Sequence, residues 1–405
     1  MNFSELFKHT GLLCRFSPDG KYLASVVQYR LVIRDVETLQ VLNLFSCVDT
    51  IQYIEWSVDS QFVLCGMYKR ALVQVWSLEN PDWTCKIDEG SAGLSEVRWG
   101  PDGRHILTTA EFHLRITVWS LLNKTVSYIK YPKQCQKGVD FSTGGKYMAL
   151  AERRDCKDYV SVFACSTWEL VKHFETATED LAGLEWSPDG RVLAVWESLL
   201  QVRILNHITW KTVTEEDHPA TIDTNNVIVY KETENRPPVL QGESTPPRSS
   251  LFSTHSKYEI EPLPASIPVV KPDPKKANPK MGVGSLSFSC NCQYMISRND
   301  NMPHTLWVWD VQRLSLAVVL VQAAPIKCID WDPCQPRLAL CTGTNKLYMW
   351  SPAGCLSVEI PAEASFHIQS VKWHPGGEAL LLIGKDEMCV CFLSNSSQET
   401  RTEDS

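Results

Sequence analysis

The sequence predicts an all-β fold, a β-propeller of about eight four-stranded blades closed by a strand from the N-terminus. Three observations carry this reading. A strand–turn–strand stretch, "RFSPDGKYLAS" (Arg15–Ser25), recurs as "EWSVDSQFVLC", "RWGPDGRHILT", "DFSTGGKYMAL", "EWSPDGRVLAV", "SFSCNCQYMIS", "DWDPCQPRLAL" and "KWHPGGEALLL". Its aromatic anchors Phe16, Trp56, Trp99, Phe141, Trp186, Phe288, Trp331 and Trp373 are separated by 40, 43, 42, 45, 102, 43 and 42 residues. The final repeat is one strand short. A period of roughly 40–45 residues built from short strands is that of a propeller blade.

The first repeat shows why each element forms. Leu12–Phe16 alternates inward and outward side chains, as a half-buried strand does. Ser17–Gly20 turns the chain, with Pro18 presetting φ and Asp19-Gly20 suited to a tight turn. Lys21–Val27, Leu31–Val36 and Leu39–Phe45 supply strands two to four. Third strands often end on a large residue, Trp76, Trp119, Trp309 or Trp350. A row of tryptophans could stack bases or sugars; at blade spacing these rings are read as packing between blades.

The last repeat offers Ile368–Trp373, Ala379–Gly384 and Met388–Leu393. Its missing fourth strand is assigned to "NFSELF" (Asn2–Phe7), which closes the ring and removes a long edge. The 102-residue gap holds one blade plus an insertion. Positions 236–279 carry ten of the 23 prolines, a composition that neither pairs into a ladder nor fills a core. The domain reading follows: 1–210 blades 1–5, 211–280 a Pro-rich and largely disordered insertion, 281–394 blades 6–8, 395–405 a disordered tail. Two apolar islands in the insertion, Val227–Glu232 and Lys257–Ile260, could pair as accessory strands. Thr245 before Pro246 matches a proline-directed phosphosite, whose phosphate would lie near Arg248.

Composition bounds function. The chain has 405 residues, a net charge of −8, 44% apolar residues and fifteen cysteines. It shows no basic stripe of the kind nucleic-acid binders carry, no signal-peptide pattern and no 18-residue apolar run. The cysteines are read as reduced thiols. No G-x-x-x-x-G-K-[ST] loop, no H-E-x-x-H helix and no nucleophile–base pair stands out, so neither enzyme, cofactor nor metal is expected. Cys389 and Cys391 lie two apart on a strand, a core spacing without the other ligands a metal needs.

The working surface is expected on one rim, formed by the loops between strands two and three and between blades. Those loops are charged: Met67–Ala71, Ala110–Arg115, Glu152–Tyr159 and Arg298–His304. Arginine and aromatic residues make good interface anchors, so the candidates are Tyr68, Lys69, Arg70, Phe112, His113, Arg115, Arg153 and Arg154. The bland alternative is a solvated rim. Mixed charge signs suit a protein partner better than a phosphate backbone.

"FSPDGKYLA", with third strands such as "VQVWSLE" and "LWVWDVQ", resembles the WD-repeat propellers over nearly the whole chain except about 211–280 and the tail. The Gly-His dipeptide that opens many such repeats is absent, which calls the usual hydrogen-bond tetrad of each blade into question. "MNFSELFK", "EWSVDSQFVLCGMYKRALVQVWSLE", "CKIDEGSAGL", "EFHLRITVWSL" and "ALAERRDCKDYVSVF" further resemble the WD-repeat family encoded antisense to a p53-family tumour-suppressor gene. That resemblance implies a cytoplasmic, non-enzymatic scaffold of centrosomes, centriolar satellites and spindle poles. It implies as partner the synovial-sarcoma-X-breakpoint-interacting coiled-coil adaptor, and as roles the anchoring of spindle microtubules and ciliary vesicle docking. The family has a further repeat between the stretch near Trp196 and "QVRILNHITW"; here "VLAVWESLL" runs straight into "QVRILNH", so the chain reads as a variant shortened by about one repeat. The competing class is a substrate receptor of a cullin-type ubiquitin ligase. Many such receptors carry W-D-x-R, but in "VWDVQR" Arg313 comes one place late and "IRDVE" lacks the tryptophan.

Overall fold

The computed structural model describes residues 1–176, 178–197, 202–235, 255–272, 275, 281–360 and 366–393. Blade 1 is an antiparallel meander of Cys14–Phe16, Tyr22–Val27, Arg30–Asp35 and Val41–Ser46. Six more sheets repeat it over 53–88, 96–130, 139–175, 181–216, 283–321 and 328–359, and an eighth combines 370–392 with the N-terminus. First strands of adjacent blades approach one another, so they are innermost. Middle strands are buried on both faces, as in Ala379–Ile383, where every residue is buried. Outer strands such as Glu169–Glu175 are almost wholly exposed. The burial gradient is why middle strands read as continuous apolar runs and outer ones do not.

The turns repeat a chemical grammar. The Ser17 hydroxyl donates to Asp19 Oδ1 (2.6 Å), while Lys21 N donates to Asp19 and Tyr22 N to Ser17 Oγ (2.9 Å). Ser57 with Asp59 and Ser187 with Asp189 do the same, and Asn291 replaces the aspartate beside Ser289. Gly20 has φ +77°, and a Cβ there would lie 2.5 Å from His374 Nε2 in blade 8. That nitrogen hydrogen-bonds the Gly20 carbonyl (2.8 Å), so this turn also sits in the ring's seam.

The anchors do more than pack. Trp99 N, Trp186 N, Phe288 N and Trp373 N donate to Glu55 (2.9 Å), Asp140 (2.7 Å), Glu185 (3.1 Å) and Asp330 (2.7 Å) of the preceding blade. The indoles of Trp56, Trp99, Trp331 and Trp373 donate to carbonyls of the preceding first strand. Third-strand tryptophans anchor polar chains that run from a blade to the segment preceding it. In blade 3 the Trp119 indole donates to Thr108 Oγ1 (2.9 Å), whose hydroxyl donates to the buried Glu89 carboxylate. In blade 6 Trp309 donates to Ser297 Oγ (2.7 Å), which also hydrogen-bonds His218 (2.7 Å). Such chains therefore form without a repeat-opening Gly-His.

The ring closes in eight blades. Asn2–Phe3 and Phe7–Lys8 both pair antiparallel with Glu387–Phe392. The single strand expected over Asn2–Phe7 is thus broken in two, with Ser4 bridging: its N donates to Val390 O and its hydroxyl accepts from Val390 N, each at 2.9 Å. Cys14, Leu23 and Val36 of blade 1 share a core with Leu381, Ile383 and Val390 of blade 8. Where "VLAVWESLL" meets "QVRILNH", strands Val192–Glu197 and Val202–Asn206 pair as the middle of blade 5.

The insertion differs from expectation. Thr212–Glu216 is the outer strand of blade 5, so the boundary at 211 falls too early. The two islands pair with each other: Ile228–Asn235 is antiparallel to His255–Ile260 and parallel to Ser315–Val321, the outer strand of blade 6. Thr221–Ile222 pairs with Ala265–Ser266. Val227, Val229, Ala265 and Ile267 join the core between blades 5 and 6. The described part of 211–280 is therefore not largely disordered, because its sparse apolar residues meet an open sheet edge. Residues 236–254, with Thr245, and the tail from 394 lie outside the described residues.

Candidate docking rim

Strand alternation sends every turn between second and third strands, and every connector between blades, to one end of the ring. Tyr68–Arg70 is a 3-10 turn of blade 2 and Glu111–His113 one of blade 3. Arg153 and Arg154 end a long hairpin of blade 4, paired with Asp158 and Lys157. All eight candidates thus lie at one end, on three consecutive blades. In each of these blades an arginine meets a residue of a connector: Arg70 meets Asp49, Arg115 meets Glu89 and Arg154 meets Tyr131.

In blade 2, Arg70 Nε meets Asp49 Oδ2 at 2.7 Å, and Lys69 is exposed with its backbone N donating to Gln52 (3.1 Å). Tyr68 is half-buried and stacks on Tyr53, centroids 6.4 Å apart; burial pushes its phenol up. It supports the turn more than it presents a surface. In blade 3, Phe112 sits at φ 57° and is 88% exposed, beside Leu114 at 66%. A benzyl group held in the left-handed region and left in water is a costly arrangement. His113 also has positive φ and is half-buried. Arg115 lies over the Tyr128 ring (4.8 Å) and 3.9 Å from Glu89.

Blade 4 separates two residues that the sequence reads as equivalent. Arg154 is exposed, over the Tyr131 ring at 5.2 Å. Arg153 Nη1 lies 3.0 Å from Asp180 and 3.7 Å from Asp158. Beneath it Lys133 Nζ donates to both carboxylates at 2.7 Å, and Asp158 also accepts from Leu181 N (2.6 Å). Lys133 and Asp158 are buried. An ion pair in that setting is costly to break, because removing one partner strands the other. Arg153 belongs to this cluster and is not a free surface cation.

The geometry offers paired charges, three arginine-to-ring contacts counting Arg15 over Tyr53, and a nearly fully exposed phenylalanine, Phe112. The arrangement suits recognition of a protein surface, where arginine and aromatic side chains dominate affinity. Lys133, Asp158 and Asp180 come from three separate elements and escaped the sequence reading. Tyr128 and Tyr131 escaped it too, although Tyr131 stands between Lys130 and Pro132 on the connector.

No protein-family model matches the chain. The mouse WD repeat-containing protein WRAP73 is 53% identical over 448 positions, covering 98% of this chain and 97% of that protein. The alignment is longer than this chain by about one repeat, so the relative carries residues without counterpart here. An uncharacterized WD repeat-containing protein of Schizosaccharomyces pombe, C32H8.09, is 22% identical, covering 100% of this chain and 95% of that protein. Among solved structures, the C-terminal WD40 domain of Sif2 matches with TM-score 0.65 at 12% identity, covering 97% of this chain and 99% of that one. The β-propeller domain of Myceliophteria thermophila Cps50 (Swd1) matches with TM-score 0.50 at 16% identity, covering 84% and 96%. None of these points to an enzymatic family. On the identity and coverage of the mouse relative, the chain belongs to the WRAP73 family of WD-repeat proteins.

Proposed function

We propose that this protein is a cytoplasmic, non-enzymatic scaffold that holds a coiled-coil adaptor on the rim of blades 2–4. The observation that carries this is Phe112, 88% exposed on a positive-φ turn, between braced cations on the neighbouring blades. A coiled coil presents a repeating pattern of acidic and apolar positions along a rigid rod, which an arc of arginines around one aromatic complements. By resemblance, the adaptor is the synovial-sarcoma-X-breakpoint-interacting protein. The setting is the centrosome, centriolar satellites and spindle poles; the roles are microtubule anchoring there and ciliary vesicle docking. Arg154, Arg70, Arg115 and Lys69 are the contacting cations in this reading, with His113 beside Phe112. Tyr68 and Arg153 hold the surface in shape. Phosphorylation at Thr245 would add charge to the same protein.

Affinity capture of the full chain from mitotic cells, with mass spectrometry, tests this. Recovery of the adaptor with spindle-pole proteins by wild type, and its loss with Phe112→Ala/Arg154→Glu at unchanged melting temperature, is expected. Equal recovery by the variant overturns the rim placement. Recovery of cullin-ligase subunits in place of the adaptor overturns the scaffold reading itself.

A further inference from the structure

The opposite end of the ring carries a groove that the rim reading does not use. It lies between blades 4 and 5, where first-to-second and third-to-fourth turns emerge, and encloses about 410 Å³. That volume is within the range of side-chain and small-ligand sites, roughly 300–1,000 Å³. Trp186, Trp210 and Tyr147 form its inner wall, and exposed Lys146, Lys172 and Val171 form its lip.

Three observations single it out. First, Trp186 is the anchor that departs from its counterparts. Trp56, Trp99, Trp331 and Trp373 donate their indole N–H to the preceding blade. The Trp186 indole N–H has no acceptor among the described residues although the residue is only 6% exposed. Its ring instead stands edge-on to Trp210, 6.0 Å away at 79°. The wedge between these two blades is therefore packed differently, and it is left open. Second, Lys146 and Lys172 have no carboxylate within ion-pair distance among the described residues, in a chain of net charge −8. Lys146 instead lies over the Tyr147 ring, 5.0 Å from its centroid. The acid at the groove, Asp189, is already taken up by the Ser187 hydroxyl, Arg191 N and the Arg191 guanidinium at 3.7 Å. His207 is held by the Arg191 carbonyl at 2.6 Å. Third, Val171 is 56% exposed, and Ile208 beside the groove is 74% exposed.

We propose that this groove docks a short acidic segment of a partner protein. One aromatic or branched side chain would enter against Trp210 and Tyr147, with flanking carboxylates on Lys146 and Lys172. Charge complementarity selects this occupant: two ammonium groups with no carboxylate partner among the described residues flank an aromatic wall, and Asp189, the acid lining the groove, is already engaged. A bare anion would use the lysines and leave the aromatic wall wet; a basic or neutral segment would leave the lysines unanswered. The site is opposite the docking rim, so the ring could hold two partners at once. It stands whether or not the rim reading does.

The test is fluorescence anisotropy of the full chain with a labelled short peptide of glutamates around one phenylalanine. Saturable binding is expected. Lys146→Glu/Lys172→Glu should weaken it about tenfold or more, and more so at low salt, where exposed charges are least screened. Val171→Glu, at an exposed position that does not threaten folding, should weaken it as well. Replacing the peptide's phenylalanine by alanine should cost about tenfold, the order expected for one buried aromatic. Phe112→Ala, on the other end, should leave binding unchanged. The proposal is overturned if wild type shows no saturable binding, if the double lysine variant binds as wild type does, or if the alanine peptide binds equally well. The last result would mean charge attraction alone.

Discussion

The rim over blades 2–4 and the flank of blades 6–7 are built on the same blade plan and end oppositely. On the flank the chain supplies its own partner. The strand Ile228–Asn235 lies along the outer edge of blade 6, and its Glu232 is buried at 6% exposure. Its carboxylate accepts from Ser256 Oγ (2.6 Å), Tyr348 OH (2.8 Å) and Ala323 N (2.8 Å). Lys346 Nζ and the Ser357 hydroxyl donate to Ser256 (2.7 Å each), tying the hairpin to blade 7. On the rim, the arginines that pair or stack keep their side chains largely in water, and Phe112 is 88% exposed. The lesson concerns what marks a docking surface. Both regions are dense in charged and aromatic residues. They differ in whether those groups are already satisfied inside the molecule.

If covering an edge from within the chain is what secures it, the largest effect belongs to the closing strand. Deleting Met1–Thr10 removes Asn2–Phe3 and Phe7–Lys8 from blade 8, with the packing of Phe3 and Leu6 and the Phe7 ring beneath Arg34. The melting temperature should fall by about 5–10 °C, given a loss of several kcal/mol in a chain this size. An unchanged melting curve would sink the closure account.

Next comes the flank. Glu232→Ala strands Tyr348 OH and Ala323 N in a buried site, at about 3 kcal/mol. Urea unfolding should show it, with Glu232→Gln milder because its carbonyl oxygen still accepts. A loss below about 0.5 kcal/mol would mean that the flank is no better satisfied than the rim, and the contrast would fail.

Much of this was legible in the sequence, and the reason is local. Ser17–Asp19–Gly20 and its copies form their turns from their own side chains, so the motif carries its structure with it. The anchors and the missing fourth strand follow from period alone. What stayed hidden is non-local. Nothing in "VIVYKE" says that it will add in parallel to a strand some ninety residues later, although its pairing with "KYEI" was readable from alternation. His218 could not be recognised as the polar end of a chain through Ser297 and Trp309. Arg153 and Arg154 are neighbours in sequence, yet on a strand they face opposite sides, and only one meets Asp180 and Asp158.

That last pair sharpens the comparison within the rim. Arg153→Glu places a carboxylate beside Asp158 and Asp180 and should cost about 1–2 kcal/mol. Arg154→Glu should stay within about 0.5 kcal/mol, as exposed substitutions do. Equal losses by chemical denaturation would show that Arg153 is as free as its neighbour.

The smallest effect lies beneath both regions. Glu55 ties blade 2 to blade 3 under the rim, and Glu185 ties blade 5 to blade 6 toward the flank; each accepts an anchor N–H from the next blade. Burial is the main influence on both and raises each carboxyl above the usual glutamate value of 4.5. In the window from that value up to the raised one, the folded state holds more protons than the unfolded state. Stability therefore declines as pH rises through the window. Glutamine keeps the acceptor oxygen and removes the titration, so both variants should flatten this decline. Above the window they should part. Glu185 also meets Lys137 Nζ at 2.6 Å, a contact glutamine forfeits, so Glu185→Gln should be destabilised at neutral pH. Glu55 has no cation within ion-pair distance among the described residues, so Glu55→Gln should match or exceed wild type there, by up to about 1 kcal/mol. Melting curves from pH 4 to 8 decide it. If Glu55→Gln loses stability at neutral pH as Glu185→Gln does, the carboxylate charge at Glu55 is itself stabilising, and desolvation is not the dominant cost at that blade junction.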